Sequence, residues 1–241
     1  MVATVTFAMH AEFAPWRRLR SFQRSADGRV PTYITQVGDV RVRVTLTGVG
    51  QRAASAAACT VFHDRPDVCI ASGLAGGLNE ELRVARIVAS GSVVDHRGRI
   101  VDIDPGLLSL ALTGGARSVS LYSSPTIVAS VGDKRRLSDI ADAVDMESAA
   151  VLGESSRLGI PCIGIRAISD PSTVDLPIDL NRTLTGAGRI SPLRTLAALA
   201  KRPHAVRRLV RLGIDGHRAA AALVAFLDGY IEQLGDLDDK A

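Results

Sequence analysis

Aromatic residues make up only 4% of this 241-residue sequence: five Phe, three Tyr and one Trp. No run of bases can be stacked on so few rings, and no nucleic-acid motif accompanies the basic residues, so no nucleic-acid partner is expected. Cysteine is as scarce. Cys59, Cys69 and Cys162 are odd in number and widely separated inside apolar segments, which excludes a disulfide framework. They read as buried thiols in a reducing compartment. No CxxC or Cys/His spacing is present, so no metal is expected. No apolar run approaches the roughly 18 residues of a spanning helix. The opening "MVATVTFAMHAEF" has no basic segment ahead of a long apolar one, so no signal peptide is expected and the cytoplasm is the expected location. Linkers rich in Pro or Ser, repeats and low-complexity tracts are also missing, which argues for one domain over 1–241.

What is present is an ordinary globular composition: 46% hydrophobic, 22% charged, mean hydropathy +0.18. Residues 2–9, "VATVTFAM", are a β-branched run suited to a buried strand. "HAEFAPWRRLR" follows as an amphipathic helix or turn. In the next segment Val40, Val42, Val44 and Leu46 alternate with Arg41, Arg43 and Thr45, as in a half-buried hairpin. "QRAASAAACTVFHD" predicts an Ala-rich helix packed on a sheet. "DVCIASG" predicts a strand ending in a glycine-rich loop at 72–78, and "VARIVASGSVVD" and "RSVSLYSSPTIVA" predict two more strands. "DAVDM" reads as strand, "ESAAVLGESSRLG" as a helix stopping at Gly159 with Ala149, Ala150, Leu152 and Leu158 on its apolar side, and "PCIGIRAISD" as strand. Strands alternating with helices give an α/β fold, a central mixed sheet with helices on both faces.

Carboxylates at the ends of predicted strands need a reason, because burial of a charge is costly unless something binds it. Glu12 follows the first strand, Asp145-Met146-Glu147 follows "DAV", and Asp170 closes "IRAISD". Taken singly, Glu12 and Glu147 read as acids in a first helical turn, Asp170 as a turn residue before Pro171, and the glycines as packing. Ligands of such sheets bind beyond the carboxyl ends of the strands, and all four features fall there.

"FAMHAEF", "SGLAGGLNEELRVARIVAS", "AVDMESAAV" and "IRAISD", in this order, resemble the nucleoside phosphorylase/nucleosidase superfamily, and within it the methylthioadenosine/S-adenosylhomocysteine nucleosidases. The resemblance covers roughly residues 1–170. Beyond it, "LPIDLNRTLTGAGRISPLRTLAALAKRP" departs from those nucleosidases and resembles the hopanoid-associated branch, whose members remove adenine from adenosylhopane. The resemblance implies a three-layer phosphorylase/hydrolase-like fold, a homo-oligomer, no cofactor, and a purine nucleoside as substrate. It assigns Asp170 to protonation of the leaving base, Glu12 to activation of water and Glu147 to the ribose hydroxyls. Met146 would pack on the sugar. Gly73, Ala75, Gly76 and Ser169 belong to the matching blocks, and main-chain groups at Ile127 and Val128 would read the base edge. The chemistry suits these residue types: an oxocarbenium-like transition state needs leaving-group protonation and an activated nucleophile. An Asp near apolar walls would have its proton affinity raised.

Water and phosphate are both open as nucleophile, phosphate being the co-substrate of a phosphorylase, and a silent nucleoside binder is a third reading. Phosphate calls for cationic and hydroxyl donors. Here Leu74 stands where the superfamily loop has Ser, Ala71 stands where some phosphorylases have Arg, and Glu12 would repel an anion, leaving backbone N–H groups and Arg43 or Arg52 as anion ligands. Water is favoured. Residues 95–120 are shorter than the matching nucleosidase segment, which would open the 5′ side of the site. At about 182–241 lies a basic helical extension: Arg182, Arg189, Arg194, Lys201, Arg202, Arg207, Arg208, Arg211 and Arg218 interleave with leucines and valines at helical spacing. Such a segment suits peripheral contact with an anionic membrane, or a solvated face of a packed helix. "RAAAALVAFLDGYIEQL" reads as an ordinary packing helix.

Overall fold

A computed structural model describes residues 1–26, 30–178, 181 and 205–238. The opening β-branched run forms β1 (Val2–Phe7), buried on both faces as a central parallel strand requires. It lies between β4 (Val40–Leu46) and β5 (Val68–Gly77), parallel to both. The predicted hairpin is β3 (Thr32–Val37) with β4, Tyr33 facing Val44 and Val37 facing Val40, and the two-residue β2 (Gln23–Arg24) adds to its edge. The remaining strands are β6 (Ile87–Asp95), β7 (Ile100–Val101), β8 (Arg117–Ser123), β9 (Ala143–Asp145) and β10 (Cys162–Asp170). Their order is β10-β6-β8-β9-β5-β1-β4-β3-β2, and β10 also pairs with β5. That extra pairing closes β5, β10, β6, β8 and β9 into a ring, from which β1, β4, β3 and β2 continue beyond β5 while β7 pairs with β6.

Among the described residues, helices cover both faces of the sheet. On one face lie α1 (His10–Leu19), α3 (Pro105–Thr113) and the 34-residue α6 (Ala205–Asp238), packed through Phe13, Trp16, Leu107, Ala111, Leu223 and Leu227. On the other lie α2 (Gln51–Val61) and α5 (Ser148–Arg157), whose Ala54, Ala58, Val151 and Leu152 meet Cys69, Ala71 and Ile168. The mixed sheet with helices on both faces is therefore as expected. The scarce aromatics are concentrated under α1, where Phe7, Phe13, Trp16 and Phe22 form a cluster with centroids 4.8 to 6.3 Å apart.

Several local expectations differ. The glycine-rich stretch is strand, because Gly73 to Ala75 pair in parallel with Arg166 to Ile168 while Gly76 and Gly77 pair with Val144 and Ala143 of β9. Backbone partners on both sides make a loop unnecessary. Cys59 is exposed, since α2 turns it away from the sheet, whereas Cys69 and Cys162 are buried. Val151 and Leu152 carry the buried face of α5, and Ala149 and Ala150 are half-buried. Two short helices lacked any reading in the sequence: α3, capped by Asp104 with Pro105 at its first position, and α4 (Val131–Leu137), capped by Ser130. Part of the basic extension and the packing helix form one continuous α6; Arg182, Arg189, Arg194, Lys201 and Arg202 lie outside the described residues.

Helix α6 is clamped to α1 through Asp228. Its Oδ1 accepts the indole N–H of Trp16 at 2.9 Å, and Arg20 reaches Oδ1 and Oδ2 at 2.5 and 2.8 Å. Trp16 is fully buried, so removing the acceptor strands its N–H. Asp228→Ala should cost about 1–3 kcal/mol, lowering Tm by about 2–4 °C for each kcal/mol. Thermal melts and urea titration check this; an unchanged Tm would show that the clamp contributes nothing.

Candidate active site

A cavity of about 630 Å³ opens at the carboxyl ends of the strands, walled by the ends of β1, β5, β9 and β10, the 126–128 segment and α6. Glu12, Ala75, Gly76, Ile127, Val128, Met146, Glu147, Ser169 and Asp170 all line it. Gly73, which the resemblance also assigned to the matching blocks, stands behind the wall. Its φ is +140°, and a Cβ there would run into Arg166 Nη1 and lie 3.1 Å from Glu12 Oε1. Glycine is needed at this point so that two buried side chains can pass the strand.

Glu12 sits in the first turn of α1 yet is almost completely buried. One oxygen accepts the amide of Met9 at 2.9 Å, closing the helix start, and the other accepts the amide of Leu74 at 3.0 Å. The same carboxylate thus caps a helix and joins β5 to α1. Burial raises its proton affinity above the ordinary carboxylate value, against the pull of those amides and of Arg166. Glu147 precedes α5 and accepts the amide of Gly50 at 2.7 Å. Burial first, and the charge of Asp145 second, push it up to about 8.

A third buried acid is paired with a cation. Asp145 forms a buried ion pair with Arg166 at 2.5 Å and accepts from Ser123 Oγ at 2.6 Å and Ser148 N at 2.9 Å. Arg166 also donates to Ser72 O and Ser148 Oγ, each at 2.9 Å. No role was read for Arg166 in the sequence, although a charge inside the apolar run "IGIRAIS" is itself a signal that a partner must be buried with it. Asp170, expected near apolar walls, also has polar partners. Lys134 of α4 donates to its Oδ2 at 2.6 Å, and Ser169 Oγ donates to its Oδ1 at 2.6 Å. Nothing in "SVGDKRRLSD" announces a buried lysine, since the pattern equally describes a solvated basic helix.

Two further expectations change. Arg43 lies in a separate cleft beside His63, where it pairs with Asp64 at 2.9 Å, and Arg52 is exposed on α2, so neither lines the cavity. The main chain of Ile127 is engaged by Asn181: its N–H donates to Oδ1 at 2.8 Å and its carbonyl accepts Nδ2 at 3.0 Å. The α6 wall, Leu209, Leu212, Gly213, Gly216, His217 and Ala220, had no reading in the sequence as part of the site.

The family model described as "Phosphorylase superfamily" matches residues 4–202. This chain belongs to the phosphorylase superfamily. Among its superfamily relatives, a 5′-methylthioadenosine/S-adenosylhomocysteine nucleosidase of Shewanella halifaxensis is 28% identical over 196 residues, covering 68% of this chain and 83% of that one. The fold is similar to the corresponding nucleosidase of Campylobacter jejuni, with TM-score 0.75, 17% identity, and 97% and 99% of the two chains covered. A futalosine hydrolase of Helicobacter pylori gives TM-score 0.72 at 18% identity, with 97% and 99% covered. These superfamily relatives and neighbours are nucleosidases by name or, for the last, a hydrolase.

The raised proton affinity of Glu147 has a measurable consequence. Its ordinary value is 4.5, and in the fold it is about 8, so the folded protein keeps a proton that the unfolded chain releases. That contribution to stability is complete below about 4.5 and is lost as pH rises through about 8. The Tm of the native protein should therefore fall more steeply between about pH 5 and 9 than that of Glu147→Gln, which has no charge to desolvate. Parallel melts across that range test it, and equal slopes would show Glu147 ionised throughout.

Proposed function

We propose that this protein hydrolyses the N-glycosidic bond of an adenosine-type purine nucleoside, releasing adenine. The observation that carries the reading is the convergence of Glu12, Glu147 and Asp170 on one cavity at the strand ends. Glu12 is the base toward water, and burial raises its proton affinity in the direction that suits a base. Asp170 protonates the leaving base, and Glu147 holds the ribose hydroxyls where positive charge develops. Met146, lining the same wall, packs on the sugar.

The cavity favours water over phosphate. Among the described residues its polar lining includes the carboxylates and His217 but no Arg or Lys, and the buried cations beside it, Arg166 and Lys134, are held by Asp145 and Asp170. The amide of Leu74, in the strand where a phosphate would need donors, is taken by Glu12. A phosphorylase needs free donors there.

The substrate we infer carries a large apolar 5′ group, as in an adenosyl-lipid such as adenosylhopane. In support, Val49, Leu74, Leu209 and Leu212 give the cavity an apolar wall, and Gly213 and Gly216 leave it room. The outer side of the same helix segment exposes Val206, Val210 and Ile214, at 45%, 57% and 57%, one helical turn apart, beside Arg207, Arg211 and Arg218. That stripe suits peripheral docking on an anionic bilayer, the place where a lipid-linked nucleoside resides. No helix among the described residues is long and apolar enough to cross a membrane. Self-association as a homo-oligomer belongs to the same reading.

Two experiments test the proposal. Adenine should be released without phosphate, leaving free sugar, with Asp170→Asn slower by about 10²–10⁴-fold while still binding nucleoside, and Glu12→Gln inactive; strict dependence on phosphate would make the protein a phosphorylase. Separately, the protein should sediment with anionic liposomes at low salt and not at high salt, each basic residue contributing about 1 kcal/mol. A 5′-alkylated adenosine should turn over faster than methylthioadenosine. Absence of liposome binding together with preference for methylthioadenosine would leave a plain purine nucleosidase.

A further inference from the structure

Lys134 is one of only three lysines in the chain, and it is fully buried. Its ammonium donates to Asp170 Oδ2 at 2.6 Å, to the carbonyl of Pro171 at 2.8 Å and to that of Val174 at 3.1 Å. All three N–H donors of the ammonium are thereby satisfied around one carboxyl and the turn that follows it. The other cavity acids are held differently: Asp145 by Arg166, Glu12 and Glu147 by backbone amides.

An ammonium has donors and no acceptor, so it pairs with a bare carboxylate oxygen in strong preference to a protonated one. Lys134 therefore keeps Oδ2 of Asp170 bare, and a proton on this carboxyl sits on Oδ1. There the partner is Ser169 Oγ, 2.6 Å away, which is also 3.3 Å from the carbonyl of Ala75. A hydroxyl can donate or accept. With Oδ1 protonated it turns its hydrogen to Ala75 and accepts from the acid; with Oδ1 bare it turns back and donates.

Resting on the reading of Asp170 as the leaving-group acid, we propose that Lys134 is a positioning residue that confines the donatable proton to Oδ1, the oxygen shared with Ser169. As the bond from the sugar C1′ to the base nitrogen breaks, its electron pair goes to the base, which takes the proton from Oδ1. Asp170 is left as a carboxylate with Lys134 on one oxygen and the Ser169 hydroxyl on the other. No further reactant is required for that step.

The test compares two leaving groups. Adenine must be protonated as it leaves, whereas 4-nitrophenolate leaves without protonation. Lys134→Met should lower kcat for adenosine cleavage about ten- to a hundredfold, a share of the about 10²–10⁴ supplied by general acid catalysis, with KM little changed. It should leave cleavage of a 4-nitrophenyl riboside near the native rate. An equal loss on both substrates would reduce Lys134 to a structural role and overturn the proposal. Should Lys134→Met fail to fold, Lys134→Arg carries the same comparison, since it keeps the charge and moves the donors: selective loss on adenosine supports the proposal, and equal or no loss overturns it. Asp170→Asn, run alongside, separates the two readings. If it releases adenine at a native rate, Asp170 is not the acid and the proposed function itself fails; if it is inactive while Lys134→Met behaves alike on both substrates, only the role of Lys134 fails.

Discussion

The buried ion pair between Arg166 and Asp145 is the interaction on which the rest of the cavity depends. It ties β10 to the end of β9, and Ser72 and Ser148 draw β5 and the start of α5 to the same guanidinium. Glu12 and Glu147 both feel its positive charge, which opposes the penalty of their burial. An ion pair of this kind adds little net stability against an apolar replacement, yet losing one partner leaves a charge buried alone, at about 3–5 kcal/mol. Its value lies in fixing where four elements meet. Gly73 is part of the same arrangement, because the guanidinium passes through the space a side chain would fill.

Around that pair the cavity separates its carboxyl groups by environment. Burial raises the proton affinity of Glu12 and Glu147 above the ordinary carboxylate value. Asp170 is held between an ammonium and a hydroxyl. One kind of titrating group placed in unlike surroundings can take up unlike roles, which is how acid and base functions coexist in a small space.

Much of this was legible in the sequence where burial and periodicity act locally. β1, the β3–β4 hairpin and the β9–α5–β10 succession follow from apolar runs, alternation and a glycine stop, and the acids at strand ends flagged the cavity before its shape was known. The glycine-rich stretch misled because glycines mark loops as readily as crowded strands, and only the pairing of β5 with both β10 and β9 decides between them. Lys134 was hidden for a related reason: in "GDKRRL" three cations are equivalent by pattern, and the choice of which to bury is made by a carboxyl and two carbonyls distant in the chain. The α6 wall was out of reach as well, since its leucines satisfy helical periodicity whether they face a core or a ligand.

Helix α6 runs unbroken from the cavity wall to the core. Its far half is fixed by Leu223, Leu227, Tyr230, Ile231 and the Asp228 clamp, while its near half presents Leu209, Leu212 and Ala220 to the cavity. The backbone freedom of the wall is therefore surrendered when the chain folds and not when a ligand arrives. A ligand meets a surface already in place, so more of its contact free energy remains as affinity. The same continuity makes this wall a poor hinge: any entrance that widens must do so through other segments of the rim.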